Sequence, residues 1–161
     1  MKTKDIQKLY DDYVLSTYSR APLCLVKGKG TKVWDLEGRE YLDFFSGWAV
    51  SGLGHCHPAV VNAIKNQARK IIHIPNNYYG VRQAQLAEQI VKHSFPGRVF
   101  FCNSGAEAME AAIKFARKYG SKTGRYEIIT AYGSFHGRTL GALTATAQEK
   151  YQKGFEPLPG G

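Results

Sequence analysis

The chain reads as an α/β protein, and three observations carry that reading. The first lies between Arg98 and Ala131, where an apolar run, a turn, a long helical pattern and a second β-branched run follow in order. Strand, helix and strand in that order make a parallel α/β unit, whose ligands sit at the carboxyl ends of the strands. The second is a set of three short β-like runs near the amino terminus, separated by glycine-containing turns, which predicts a small antiparallel meander. The third is composition: 161 residues, 43% hydrophobic and 22% charged, suit a soluble globular protein and not a disordered one. Residues 1–57 are expected to form an N-terminal helix and the meander, and residues 58–161 to begin a larger α/β domain.

In residues 3–18, Ile6, Leu9, Tyr10, Tyr13 and Val14 recur at helical spacing, and Tyr18–Pro22 ends the pattern. Leu23–Val26, Thr31–Asp35 and Glu40–Phe44 read as the meander strands. Gly28-Lys-Gly30 and Leu36-Glu-Gly-Arg39 supply its turns. The stretch from Ser46 to Pro58 is too rich in glycine for a regular element. A helix starts at Pro58, with Val61, Ile64, Ala68 and Ile71 or Ile72 as its apolar side. His55-Cys56-His57 looks like part of a metal site, but further ligands are missing nearby, so these residues read as shaping the loop and the helix start. After the polar and aromatic loop Asn76–Gly80, Gln83 to His93 forms another amphipathic helix.

The Arg98–Ala131 unit holds the most informative stretch. Val99-Phe100-Phe101 runs into a turn at Asn103-Ser104-Gly105, where Ser104 and Glu107 have the spacing of a capping box. Ala108, Ala112, Phe115 and Tyr119 continue the helix, and Gly120 stands at a plausible closing position. A turn onto a helix start presents unpaired N–H groups to an anion, and Gly105 lets a phosphate approach the backbone. Two readings stay open on these residues alone: a plain capped helix, or an anion site. The run Tyr126–Ala131 then leads into a second turn, Tyr132–Thr139, where Phe135 offers a flat apolar face and Arg138 a planar fork suited to a carboxylate.

Several function classes are disfavoured. The formal charge of +9 is dispersed among acidic residues without a dense basic run, which argues against nucleic-acid binding. No apolar stretch is long enough to span a bilayer. Met1–Lys8 has no apolar segment of a secretory signal, and three cysteines without a Cys-x-x-Cys pair suit a reducing compartment. A cytoplasmic location is expected.

Five segments together resemble the N-terminal part of the class-III, fold-type-I aminotransferases, and especially their acetylornithine branch. They are Val33–Gly38, Leu53–Pro58, Phe100–Glu107, Ser134–Ala142 and Gly154–Pro159. The resemblance implies a mostly parallel-sheet domain that binds pyridoxal 5′-phosphate (PLP). Ser104, Gly105 and Ala106 would bind its phosphate and Phe135 would stack on its pyridine ring. Arg138 would hold the substrate α-carboxylate, and Tyr18 would face the substrate pocket. The implied reaction moves the amino group of N-acetylornithine to 2-oxoglutarate, as in arginine biosynthesis, in a homodimer to which the Asn76–Tyr79 loop contributes. Met109 and Trp48 depart from the acetylornithine pattern, which keeps ornithine, succinylornithine and 4-aminobutyrate in play as donors. The family's Schiff-base lysine and the aspartate that pairs with the pyridine nitrogen have no counterpart here, so the chain itself holds no catalytic residue. It is expected to be an N-terminal portion, inactive in isolation; a non-catalytic remnant that still binds phosphate is the alternative.

Overall fold

The computed structural model describes residues 1–160 and divides into two compact units, Met1–Tyr79 and Gly80–Gly161. The first opens with helix α1, Thr3–Tyr13. It stops short of residue 18 because Val14 is already extended and, like Leu15, is left exposed, so no burial offsets the entropy of another turn. Strands β1 (Leu25–Lys29), β2 (Lys32–Asp35) and β3 (Glu40–Leu42) form an antiparallel sheet in that order. Strand β1 lies further along the chain than the expected Leu23–Val26. Lys29 pairs with Lys32, so the turn is only Gly30-Thr31, and Gly28 falls within the strand.

The sheet is centred on β2, where Val33 and Asp35 are buried. One Asp35 oxygen accepts from the Arg39 amide at 2.8 Å. The other accepts from Arg39 Nε at 2.7 Å and from the Tyr41 hydroxyl at 2.8 Å. Burial pushes the Asp35 carboxyl upward, but the bonds from Tyr41 and Arg39 outweigh it and hold the group below its ordinary value. A carboxylate lowered in the folded state contributes stability above its unfolded value, near 3.9. That contribution is lost as pH falls through the lower folded value. Asp35→Asn is therefore expected to lower the unfolding midpoint at pH 7, and the gap from wild type should narrow below about pH 4 in matched thermal melts.

The glycine-rich loop is tied down at its far end by His55. Its backbone exchanges two hydrogen bonds with Gly30, at 2.8 and 2.9 Å, and its Nε2 lies 2.6 Å from Asp43 Oδ2. Asp43 Oδ1 meanwhile accepts from the amides of Phe45 and Ser46. Gly28 is required beneath this contact: a Cβ there would lie 2.7 Å from His55 Cβ. His57 caps helix α2 (Pro58–Ala68), its Nδ1 accepting from the Ala59 amide at 3.3 Å. His55 and His57 thus have distinct structural partners. Among the described residues, no three His, Cys, Asp or Glu side chains are grouped to hold a metal.

The second unit contains α3 (Val81–Lys92), α4 (Gly105–Gly120), a 3-10 turn at Ser121–Thr123, α5 (Leu140–Ala145) and α6 (Glu149–Gln152). Residues 99–101 and 126–131 flank α4 as expected, but neither run is a strand. Parallel strands exist only by pairing with neighbours, and these runs have none among the described residues. The sole bridge of this unit among those residues joins Tyr132 and Ala147 in parallel. The buried centre is instead built on α5, from Ala142, Leu143, Ala145 and Thr146.

Gly120 does not close α4 in the left-handed region. It remains helical, with φ −76°, and Gly124 takes the positive φ of +69°. Gly120 is small for a different reason: the chain folds back so that the Arg125 amide bonds to its carbonyl. A Cβ at Gly120 would lie 2.1 Å from Arg125 O. Gly120→Ala should therefore destabilise the unit by about 1–3 kcal/mol, measured by denaturant unfolding, although alanine is the better helix former.

Candidate active site

The N-terminal turn of α4 is capped as the Ser104–Glu107 spacing predicts. Ser104 Oγ accepts from the Glu107 amide at 3.2 Å. The Glu107 carboxylate reaches back one residue further than a simple box requires, to the Asn103 amide at 2.5 Å and the Asn103 side chain at 3.3 Å. The Asn103 amide, then its side chain, hold Glu107 below the usual carboxylate range. With its oxygen accepting from Glu107, the Ser104 hydroxyl still has a proton to donate. The amides of Gly105 and Ala106 have no acceptor among the described residues, and nothing lies within 4 Å of a Cβ built on Gly105. The turn can therefore receive a compact anion.

The second turn packs directly on the first. Gly137 is buried with φ +142°, and a Cβ there would lie 3.0 Å from Ala106 Cβ and 2.9 Å from Ala142 Cβ. That close approach brings Phe135, His136 and Arg138 beside the start of α4. Phe135 is 51% exposed, so it keeps surface for a ligand ring, and it meets Tyr151 edge-on at 5.8 Å. The Arg138 guanidinium carbon lies 5.9 Å from the Phe135 ring centre and 5.7 Å from that of Tyr151. Both contacts have cation–π geometry. The structure thus sets Ala106, next to Ser104 and Gly105 in the turn, against Gly137, which lies in the segment that carries Phe135 and Arg138. Tyr18 belongs to the first unit, where it lines a groove with Ile6, Tyr10 and Pro22.

Sequence reading missed the residues that hold this geometry. Thr146, fully buried, accepts from the His136 amide at 2.9 Å through its hydroxyl, which also lies 3.0 Å from the Ala142 carbonyl. Glu110 accepts from the Thr139 hydroxyl at 2.5 Å and from the Ala142 amide at 3.1 Å. The Thr139 hydroxyl is the main cause holding the Glu110 carboxyl below its ordinary value; burial opposes it, and the amides of Ala142 and Gly141 assist. One signal was available. Helix α5 has no glutamate of its own at the capping-box position, which Ala142 occupies, so its first amides need a distant acceptor.

Comparison with known proteins places this chain in a family. The model for "Aminotransferase class-III" matches residues 13–161. The chain belongs to the class-III aminotransferases. It is similar to an acetylornithine aminotransferase of Caldanaerobacter subterraneus subsp. tengcongensis, with 62% identity over 152 residues, covering 92% of this chain and 39% of that protein. Among solved structures, the ornithine aminotransferase of Toxoplasma gondii ME49 superimposes with a TM-score of 0.90 at 29% identity. That match covers all of this chain and 39% of the other. The taurine:2-oxoglutarate aminotransferase of Bifidobacterium kashiwanohense, solved with PLP and glutamate, gives 0.84 at 33% identity, covering 94% and 34%. The chain therefore has the fold-type-I architecture over a segment that spans about two-fifths of these relatives' length. The cofactor of class-III aminotransferases is PLP. The residues here fit it: open amides and a hydroxyl for a phosphate, and a half-exposed ring beside them for a pyridine.

Proposed function

We propose that the polypeptide carrying this chain transfers the amino group of N-acetylornithine to 2-oxoglutarate with PLP, as an enzyme of arginine biosynthesis. The observation that supports this most is the packing of Gly137 on Ala106, which joins an anion-binding turn to an aromatic ring and a guanidinium. In this reading Ser104 donates its hydroxyl proton to the cofactor phosphate, and the amides of Gly105 and Ala106 donate to its other oxygens. Phe135 stacks on the pyridine and excludes water from one side of it. Arg138 holds the α-carboxylate of donor and acceptor in turn, and Tyr18 lines the substrate pocket. PLP, when bound, supplies the electron sink for amino transfer. In this reading no residue of 1–161 is given the part of the lysine and aspartate that act on the cofactor, and residues 1–161 alone are expected to be inactive.

The working unit in this reading is a cytoplasmic homodimer. Tyr78 and Tyr79, 71% and 104% exposed, would be covered by the second copy. The described residues include no helix long and apolar enough to cross a membrane. Trp48 gives a specific reason to keep a second donor in view. It is 86% exposed on the glycine-rich loop, at φ +59°, with its ring edge against Phe45 at 5.0 Å. By resemblance, an aromatic residue at this position is the pattern of ornithine aminotransferases, which makes ornithine the alternative donor. The complete polypeptide is expected to prefer acetylornithine over ornithine, succinylornithine and 4-aminobutyrate in initial-rate assays. A preference for ornithine that Trp48→Ile reverses would replace the first reading with the second.

Ser104→Ala tests the phosphate assignment. Losing one hydrogen bond to a charged group costs about 1.5–3 kcal/mol, so PLP should bind roughly 10- to 100-fold more weakly by equilibrium dialysis. Pyridoxal, which lacks the phosphate, should be unaffected.

A further inference from the structure

Glu110 lies four residues beyond Ala106, one turn along the same face of α4. Both residues touch the same downstream segment: Ala106 meets Gly137, and Glu110 accepts from Thr139 and Ala142. The fit at Glu110 is close. A Cβ on Gly141 would lie 2.6 Å from Glu110 Oε2, so a glycine is needed for the carboxylate to reach the start of α5. On the opposite side of the segment, Thr146 holds the His136 amide. The Phe135 ring itself meets Tyr151, which lies on α6 and not on α4.

We propose that Glu110 is a positioning residue: its carboxylate fastens residues 139–142 to α4, so that one helix sets both the phosphate-binding turn and the place of the adjoining segment that carries Phe135 and Arg138. This rests on the functional reading above. Glu110 touches neither ligand in that reading and acts through the Thr139 hydroxyl and the amides it accepts. It therefore governs how well a ring is presented next to a bound phosphate, and not whether phosphate binds.

The test uses the complete polypeptide, with Glu110→Ala and the milder Thr139→Val, which removes one hydroxyl bond and little volume. Hydrogen exchange at the Ala142 amide is measured without ligand. Binding of inorganic phosphate and of pyridoxine 5′-phosphate is measured by titration calorimetry. In Glu110→Ala, exchange should rise about tenfold or more, since bonds to a charged acceptor are lost. Pyridoxine 5′-phosphate should bind about tenfold more weakly while inorganic phosphate changes by less than about twofold. Thr139→Val should shift both readouts in the same direction by a smaller factor. Unchanged exchange overturns the proposal whatever the ligands do. Equal weakening of both ligands also overturns it, since α4 itself would then have been disturbed. A wild type that binds neither ligand overturns the functional reading, and this proposal with it, while the exchange data still report on the clamp.

Discussion

Gly137→Val is expected to abolish tight binding of PLP while leaving the phosphate turn capable of holding inorganic phosphate. The position has φ +142°, a conformation side-chain-bearing residues rarely adopt, and a Cβ would press on both Ala106 and Ala142 at about van der Waals overlap. Valine adds two methyl groups to that overlap. Overpacking costs about 1–3 kcal/mol and the backbone strain about 1–3 kcal/mol more. The cheapest relief is for residues 134–138 to lift away from α4, because the Gly137–Ala106 approach is a van der Waals contact and the Glu110 bonds begin only at Thr139. The two halves of the site then separate. PLP should weaken by roughly 30-fold or more in a fluorescence titration, on the scale of those costs. Unchanged binding would mean that the two turns do not act together.

Arg138→Ala has the second-largest expected effect, on substrate and not on cofactor. A carboxylate held by a guanidinium fork makes two parallel charge-assisted bonds, and each such bond contributes about 1.5–3 kcal/mol. Loss of the fork should raise KM for the amino donor and for 2-oxoglutarate together, by about 100-fold or more. PLP affinity should change by far less than KM, because the cation–π contacts of Arg138 with Phe135 and Tyr151 contribute about 0.5–1 kcal/mol each at an exposed site. Arg138→Lys should recover little, since an ammonium is a point charge without the planar fork. An Arg138→Ala enzyme with unchanged KM for both substrates would remove Arg138 from the site.

What the sequence disclosed follows the range of the interactions involved. The Ser104–Glu107 cap, the start of α2 at Pro58 and the three-stranded meander all depend on neighbours within a few residues, and their signals were readable. Glu110 looked like one more charge on an amphipathic helix, because its partners lie 29 and 32 residues away. Gly137 and Gly120 read as turn and helix-end glycines. Their shared reason, the approach of a distant backbone or side chain, has no local signature. Helices α5 and α6 passed unseen because they are six and four residues long, too short for a periodic apolar face. The apolar run at 99–101 and the β-branched run at 126–131 were placed correctly around α4 but depend on pairing for strand structure. Some of their side chains remain open, with Phe100 63% and Ile129 99% exposed.

The central claim is that the turn at Ser104–Ala106 and the segment at Phe135–Arg138 form one PLP pocket. A crystal structure of the complete polypeptide with PLP tests it most directly. The account predicts the phosphate on the Ser104 hydroxyl and the amides of Gly105 and Ala106, with the pyridine stacked on Phe135. A phosphate bound elsewhere, or a pyridine without contact to Phe135, would contradict it.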